Sequence, residues 1–155
     1  MEKVLALLKS RGVSKEDLVE CVYFLQRPYH DQLTNEEIIY YVDSVLNKRE
    51  VQHAIYTGIA LDVAVEKKLL DNKELEAIIG RDDGLYGVDE VLAYGICNLY
   101  GSIALTNFGY IDKMKPGIIG KLNRADHAIS CHTFLDDIVG AIAAAAASKL
   151  AHDKE

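Results

Sequence analysis

Along most of the chain, apolar residues recur at three- and four-residue spacing, the period of a helix packed on one side. Ile38, Ile39, Val42, Val45 and Leu46 form one such stripe. Thr34-Asn35-Glu36-Glu37 precedes it as a capping box, in which Thr34 and Glu37 satisfy each other's backbone donors. Ser14-Lys15-Glu16-Asp17 opens LVECVYFLQ in the same way. A long helix is predicted from about Arg49 to Leu70, with Ile55, Ile59 and Val63 on one face and Asp62 and Glu66 on another. Asp71-Asn72 breaks it and caps a short helix, KELEAII, that ends at Gly80.

The glycine-punctuated GRDDGLYG reads as a loop. A helix then starts near Asp89, breaks between Gly101 and Asn107, and resumes through Asp112 until Lys115-Pro116 stops it. GIIGKLNRADHAIS gives a short helix and a loop. The closing helix, HTFLDDIVGAIAAAAASKL, is nearly pure alanine from Ala143 to Ala147, and with Gly140 it permits close approach by other helices. No alternating segment or repeat is present. The pattern predicts an all-α fold, a single compact multi-helix domain over residues 1–155 with a central buried helix pair.

Composition narrows the function. Half of the 155 residues are apolar, enough for an ordered core. The formal charge of −7 argues against a nucleic-acid binder and against electrostatic adsorption to anionic lipid. The amino-terminal MEKVLALLKSRG has charges at positions 2, 3, 9 and 11 and no small-residue cleavage site, so no secretory signal is expected. Cys21, Cys97 and Cys131 lack metal-type spacing and read as reduced core thiols of a cytoplasmic protein. VLAYGICNLYGSIALTNFGYI, uncharged over 21 residues, approaches a bilayer's worth of helix. Its asparagines, Ser102, Thr106 and three glycines dilute it, so a buried helix pair is expected in place of a transmembrane span.

Three acidic groups stand out: Asp89-Glu90, Asp112 and Asp136-Asp137. Two have an ordinary explanation as carboxylates in a helix's first turn, and Thr133-x-x-Asp136 also matches a capping box. Asp112 lies near a helix end where the dipole disfavours it, so it needs a cation; Lys115 at i+3 or Lys113 can supply one. If the three groups converge, five carboxylates beside one lysine are too much like charge to stand unaided. One or two Mg²⁺ ions, or Mn²⁺, would neutralise them through oxygen ligands and serve phosphate chemistry, with Lys115 as a point-charge phosphate contact. Asp62 and Glu66, at i and i+4, could join such a site, but the ordinary reading of this pair is a solvent-facing one. His127, Cys131 and His132 have no standard metal spacing, and no glycine-rich phosphate loop is present.

VDEVLAYGI, YIDKMKPGIIGKLNR and FLDDIVGAIAA, in this order and spacing, resemble the phosphatidylglycerophosphatase A family. KREVQHAIYTGIALD and GLYGVDE extend the likeness toward its soluble bacterial relatives, the low temperature requirement C protein group. The resemblance implies Mg²⁺-dependent hydrolysis of a phosphomonoester. It carries over Asp89 and Glu90 of a D-E motif, Asp112, Lys115 and Pro116 of a D-x-x-K-P motif, and Asp136 and Asp137 of a D-D motif. Asp89, Glu90, Asp112, Asp136 and Asp137 are then the expected metal ligands, with Asp89, Asp112 and Asp137 catalytic and Lys115 binding substrate. Membrane-bound members have an S-P-x-x-P-G-T segment not found here and an aspartate where this chain has Asn123. They also lack a counterpart of its first 50 or so charged, amphipathic residues.

The expectation is a cytoplasmic phosphatase, peripheral to the membrane if its ester is a phospholipid, acting on phosphatidylglycerophosphate or on a soluble phosphate ester. Small-residue and tyrosine-rich surfaces suggest a homo-oligomer. Two other readings remain open: a non-enzymatic helical module for oligomerisation or partner binding, and an all-α nucleotide pyrophosphatase, which also groups carboxylates on helices around Mg²⁺.

Overall fold

The computed structural model describes residues 1–154, which form helices and no strands. In chain order these are α1 (Glu2–Ser10), α2 (Lys15–Gln26), α3 (Asn35–Leu46), α4 (Arg49–Glu66), α5 (Lys73–Gly80), α6 (Val88–Asn98), α7 (Ser102–Met114), α8 (Gly117–Asn123) and α9 (Leu135–Asp153). The caps expected from sequence form. Ser14 and Thr34 each accept from the backbone of the third helical residue, and both boxes close through Asp17 and Glu37. Asn72 accepts from Leu75 N and starts α5, which ends at Gly80.

The alanine helix is the axis of the molecule. Every residue of α9 from Leu135 to Ser148 is buried, and α2, α3, α4, α6, α7 and α8 all pack on it. A helix apolar on all sides belongs in a core, and small side chains let six neighbours reach it. A Cβ at Gly140 would stand 3.4 Å from Ile111 Cγ2 and 3.5 Å from Phe108 Cε1, so α7 lies directly against it. On α4, a Cβ at Gly58 would meet Ile138 Cδ1 at 2.2 Å, so these two helices touch through a position where only hydrogen fits. The cysteines are free and buried.

Three details differ from the sequence reading. The break between α6 and α7 spans only residues 99–101, because Gly101, at φ +99°, reverses the chain in a single step. The α6–α7 pair is buried on one side only: Ala93, Ile96, Cys97, Ala104, Phe108 and Ile111 face inward, while Val91, Tyr94, Ile103 and Tyr110 are exposed. No helix of the described residues is long and apolar enough to cross a membrane. The third difference is on α4, where Asp62 shares the inner face with Ile55 and Ile59 and is wholly buried. Glu66 is not free in solvent either; it pairs with Arg11. The sequence pattern missed both because the cations and amides they meet come from distant parts of the chain.

Candidate active site

The fold places the start of α6, the end of α7 and the start of α9 side by side. Asp89 and Glu90 lie in the first turn of α6, Asp112 and Lys115 at the end of α7, and Asp136 and Asp137 in the first turn of α9. All six predicted residues come together, close enough for their charges to act on one another. Asp137 feels Asp136, Asp89 and Asp112; Glu90 feels Asp89, Asp112 and Lys115; Lys115 feels Asp112, Asp136 and Asp137. Asp82, from the loop before α6, joins them and acts on both Asp136 and Glu90.

Burial makes this clustering costly. Asp89 is 8% exposed, and Asp136 and Asp137 are 5% exposed each. Desolvation pushes the Asp136 carboxyl well above the ordinary range, and Asp82 and Asp112 push it further against the pull of Lys115. Asp137 is raised by desolvation first, then by Asp136 and by the neighbouring Asp89 carboxyl. Asp82 and Glu90 are raised as well, each by desolvation first and then by Asp89. Lys115 is the one cation of the group: its Nζ lies 3.1 Å from Asp112 Oδ1. Burial works against its charge, but the bond to Asp112 and the neighbouring aspartates outweigh that and raise its pKa.

Local geometry explains how these side chains are presented. α6 starts from Gly87 at φ +71°, with no side-chain cap, so Asp89 is free to turn inward. Lys115 itself adopts φ +47°, a left-handed C-cap that ends α7 before Pro116 and folds its ammonium back over Asp112. The predicted Thr133–Asp136 capping box does not form. Thr133 Oγ1 donates instead to Ile79 O at 2.6 Å, and α9 has no side-chain cap from its own sequence. Asp136 Oδ1 accepts from Asp137 N at 2.8 Å.

Asp82 is the member that sequence reasoning passed over. It was hidden in GRDDGLYG, where two aspartates between glycines read as turn formers. Its left-handed backbone, at φ +51°, is the conformation aspartate tolerates better than most residues, and it directs the chain toward α6. A cavity of about 490 Å³ lies between the end of α4, α5 and residues 127–131. Arg81 and His127 line it and none of the clustered carboxylates does.

Among the described residues, no three His, Cys, Asp or Glu side chains are already drawn into a metal-ligating arrangement. The donor set is nevertheless the one a hard divalent cation uses: carboxylate oxygens only, without imidazole or thiolate, at the ends of three helices. Protons and Lys115 now offset charge that such a cation would neutralise. The residues fit Mg²⁺ or Mn²⁺ by chemistry.

Comparison with known proteins gives consistent matches. The family model described as phosphatidylglycerophosphatase A matches residues 5–152. The uncharacterized protein YutG of Bacillus subtilis is 57% identical over 150 residues, covering 97% of this chain and 89% of its own length. The low temperature requirement C protein of Listeria monocytogenes superposes with a TM-score of 0.94 at 56% identity, covering 99% of this chain and 95% of that one. A protein of unknown function from Bacillus stearothermophilus does so with the same TM-score and identity, at 99% and 94% coverage.

Proposed function

The chain belongs to the phosphatidylglycerophosphatase A family, and on that premise we propose that it is a Mg²⁺-dependent phosphomonoester hydrolase. One observation carries the reading: the carboxylates of all three family motifs meet around a single lysine at the ends of α6, α7 and α9. Asp89, Glu90, Asp112, Asp136 and Asp137 would hold Mg²⁺ or Mn²⁺, with Asp82 at the edge of the group. When bound, the cation supplies Lewis-acid polarisation of the phosphoryl group and charge neutralisation.

The chain's own residues then have defined work. Lys115 sets a fixed positive charge beside the phosphate, where it stabilises charge developing in the transition state. Asp89, Asp112 and Asp137 stand at the ends of the three helices, where one of them, once ionised, would take the proton of the attacking water. Water replaces the alcohol at phosphorus, giving the free alcohol and inorganic phosphate. Leu85, Val88, Val91 and Tyr94 on one side and Met114 on the other are exposed beside the charged residues. That apolar rim favours an ester carried on a lipid at the membrane surface over a small soluble one.

The test is phosphate release from phosphatidylglycerophosphate in mixed micelles and from soluble phosphomonoesters, with Mg²⁺, with Mn²⁺ and with chelator. Metal-dependent release is expected, falling by roughly 100-fold or more in Asp112→Asn and Asp137→Asn while the helical signal persists. Full activity in both variants would refute the assignment. Pyrophosphate release from nucleoside triphosphates would favour the pyrophosphatase reading, and no binding of either metal the non-enzymatic module.

A further inference from the structure

α9 carries two of the proposed ligands in its first turn, yet its own sequence leaves that end uncapped. The cap comes from another helix. Asp62 of α4 is wholly buried, and its two carboxylate oxygens accept separately from Phe134 N and Leu135 N, each at 3.0 Å. The thiol of Cys131 lies 3.5 Å from Oδ1 of the same carboxylate. One turn along α4, Glu66 Oε2 accepts from Cys131 N at 2.6 Å. Arg11, which pairs with Glu66, donates to Cys131 O at 3.0 Å. Two carboxylates spaced i, i+4 on α4 therefore hold both ends of the segment 131–135 that leads into the D-D motif.

We propose that Asp62 is a positioning residue for the acidic site: as a cap supplied from α4, it fixes the rotation of α9 about its axis and so the direction in which Asp136 and Asp137 face the other carboxylates. Successive residues turn by roughly 100° around a helix, so a small rotation at the cap swings both aspartates away from Asp89 and Asp112. A bidentate carboxylate sets that rotation more tightly than a single-oxygen cap, because two neighbouring amides must both be met. Outer partners of ligating groups commonly change metal affinity 10- to 100-fold when removed. The inference rests on reading the carboxylates as a cation site.

Mn²⁺ affinity measured by electron paramagnetic resonance on folded protein tests it, with amide hydrogen exchange at Phe134 and Leu135 as a second readout. Asp62→Ala should speed exchange at both amides and weaken Mn²⁺ binding by about 10- to 100-fold. Asp62→Asn keeps one acceptor oxygen and nearly the same shape, so it should fold if the alanine variant does not, and lose less affinity. Asp137→Asn serves as the reference for the site itself. A purely structural Asp62 would lower the melting temperature and leave the folded protein's Mn²⁺ affinity alone. Affinity within twofold of the unmodified protein in Asp62→Asn, despite faster exchange at either amide, overturns the inference; if Asp137→Asn has meanwhile lost Mn²⁺, the site reading stands without it. Absence of Mn²⁺ binding by the unmodified protein overturns both.

Discussion

Replacing Gly58 by alanine tests the contact that brings α4 against α9. The added Cβ would lie 2.2 Å from Ile138 Cδ1, 3.1 Å from Phe134 Cβ and 3.4 Å from Leu92 Cδ2. Ile138 is fully buried and Phe134 is 1% exposed, so neither can swing into solvent. Overpacking of this kind costs about 1–3 kcal/mol. Alanine's better helix propensity returns about 0.8–1.0 kcal/mol. The balance is a loss of up to about 2 kcal/mol, or up to roughly 8 °C in Tm for a domain of this size. Gly95 on α6 and Gly109 on α7 provide the control, since a Cβ at either meets nothing within 4 Å. Alanine there should stabilise by about 0.5–1 kcal/mol. Urea denaturation of the three variants at one pH, checked for constant m, reads the difference. If Gly58→Ala is stabilised as much as Gly95→Ala, α4 and α9 do not meet at van der Waals distance there, and packing at Gly58 does not hold the start of α9.

Mg²⁺ at about 100 times its Kd should add about 2.7 kcal/mol to stability, a rise of roughly 5–10 °C in Tm; scanning calorimetry should show it in the unmodified protein and not in Asp137→Asn. The Arg11–Glu66 pair gives the molecule an acid-sensitive brace: the bond from Arg11, aided by Cys131 N, holds the Glu66 carboxyl below its usual range against the opposing effect of burial. A depressed folded value means that this stability is present above the unfolded value of about 4.3 and disappears as pH falls through the lower folded one. Denaturation between pH 7 and pH 3 should show Glu66→Gln less stable by about 1–3 kcal/mol at pH 7, with the gap closing in acid. A gap independent of pH would mean that the charge of Glu66 contributes nothing.

Local signals carried the parts of the fold that local physics decides. The boxes at Ser14 and Thr34 and the cap at Asn72 work within four residues, so their helices start where the sequence marks them. The charged motifs were legible as a group because each sits at a helix end and Asp112 needs the nearby Lys115, which the structure places 3.1 Å away. Thr133 failed as a local cap because Ile79 O, 54 positions earlier in the chain, is the better partner for its hydroxyl. Asp62 and Glu66 misled for the same reason: spacing of i, i+4 describes how two residues share a helix face, and says nothing of what a distant segment lays across it. Asp82 was disguised by glycines that made its loop look sufficient to explain it.

The same contrast between caps separates a structural role for the acidic residues from a functional one. Ser14 and Thr34 show how this chain starts a helix when only a cap is required: a neutral hydroxyl with an acid three residues on. A carboxylate in a first turn gains about 0.3–1 kcal/mol from the helix dipole. Two unit charges about 4 Å apart repel by about 4 kcal/mol at an effective dielectric of 20, so one close neighbour outweighs that gain. At the starts of α6 and α9, Asp89, Asp136 and Asp137 are nearly buried, their charges raise the proton affinity of Asp137, and the backbone capping of α9 is left to Asp62. Capping therefore does not account for Asp136 and Asp137. Buried acids of raised proton affinity beside a single lysine are what the proposed function expects of a site that takes its positive charge from outside the chain. In the proposed reading, a divalent cation would supply the positive charge that the arrangement lacks.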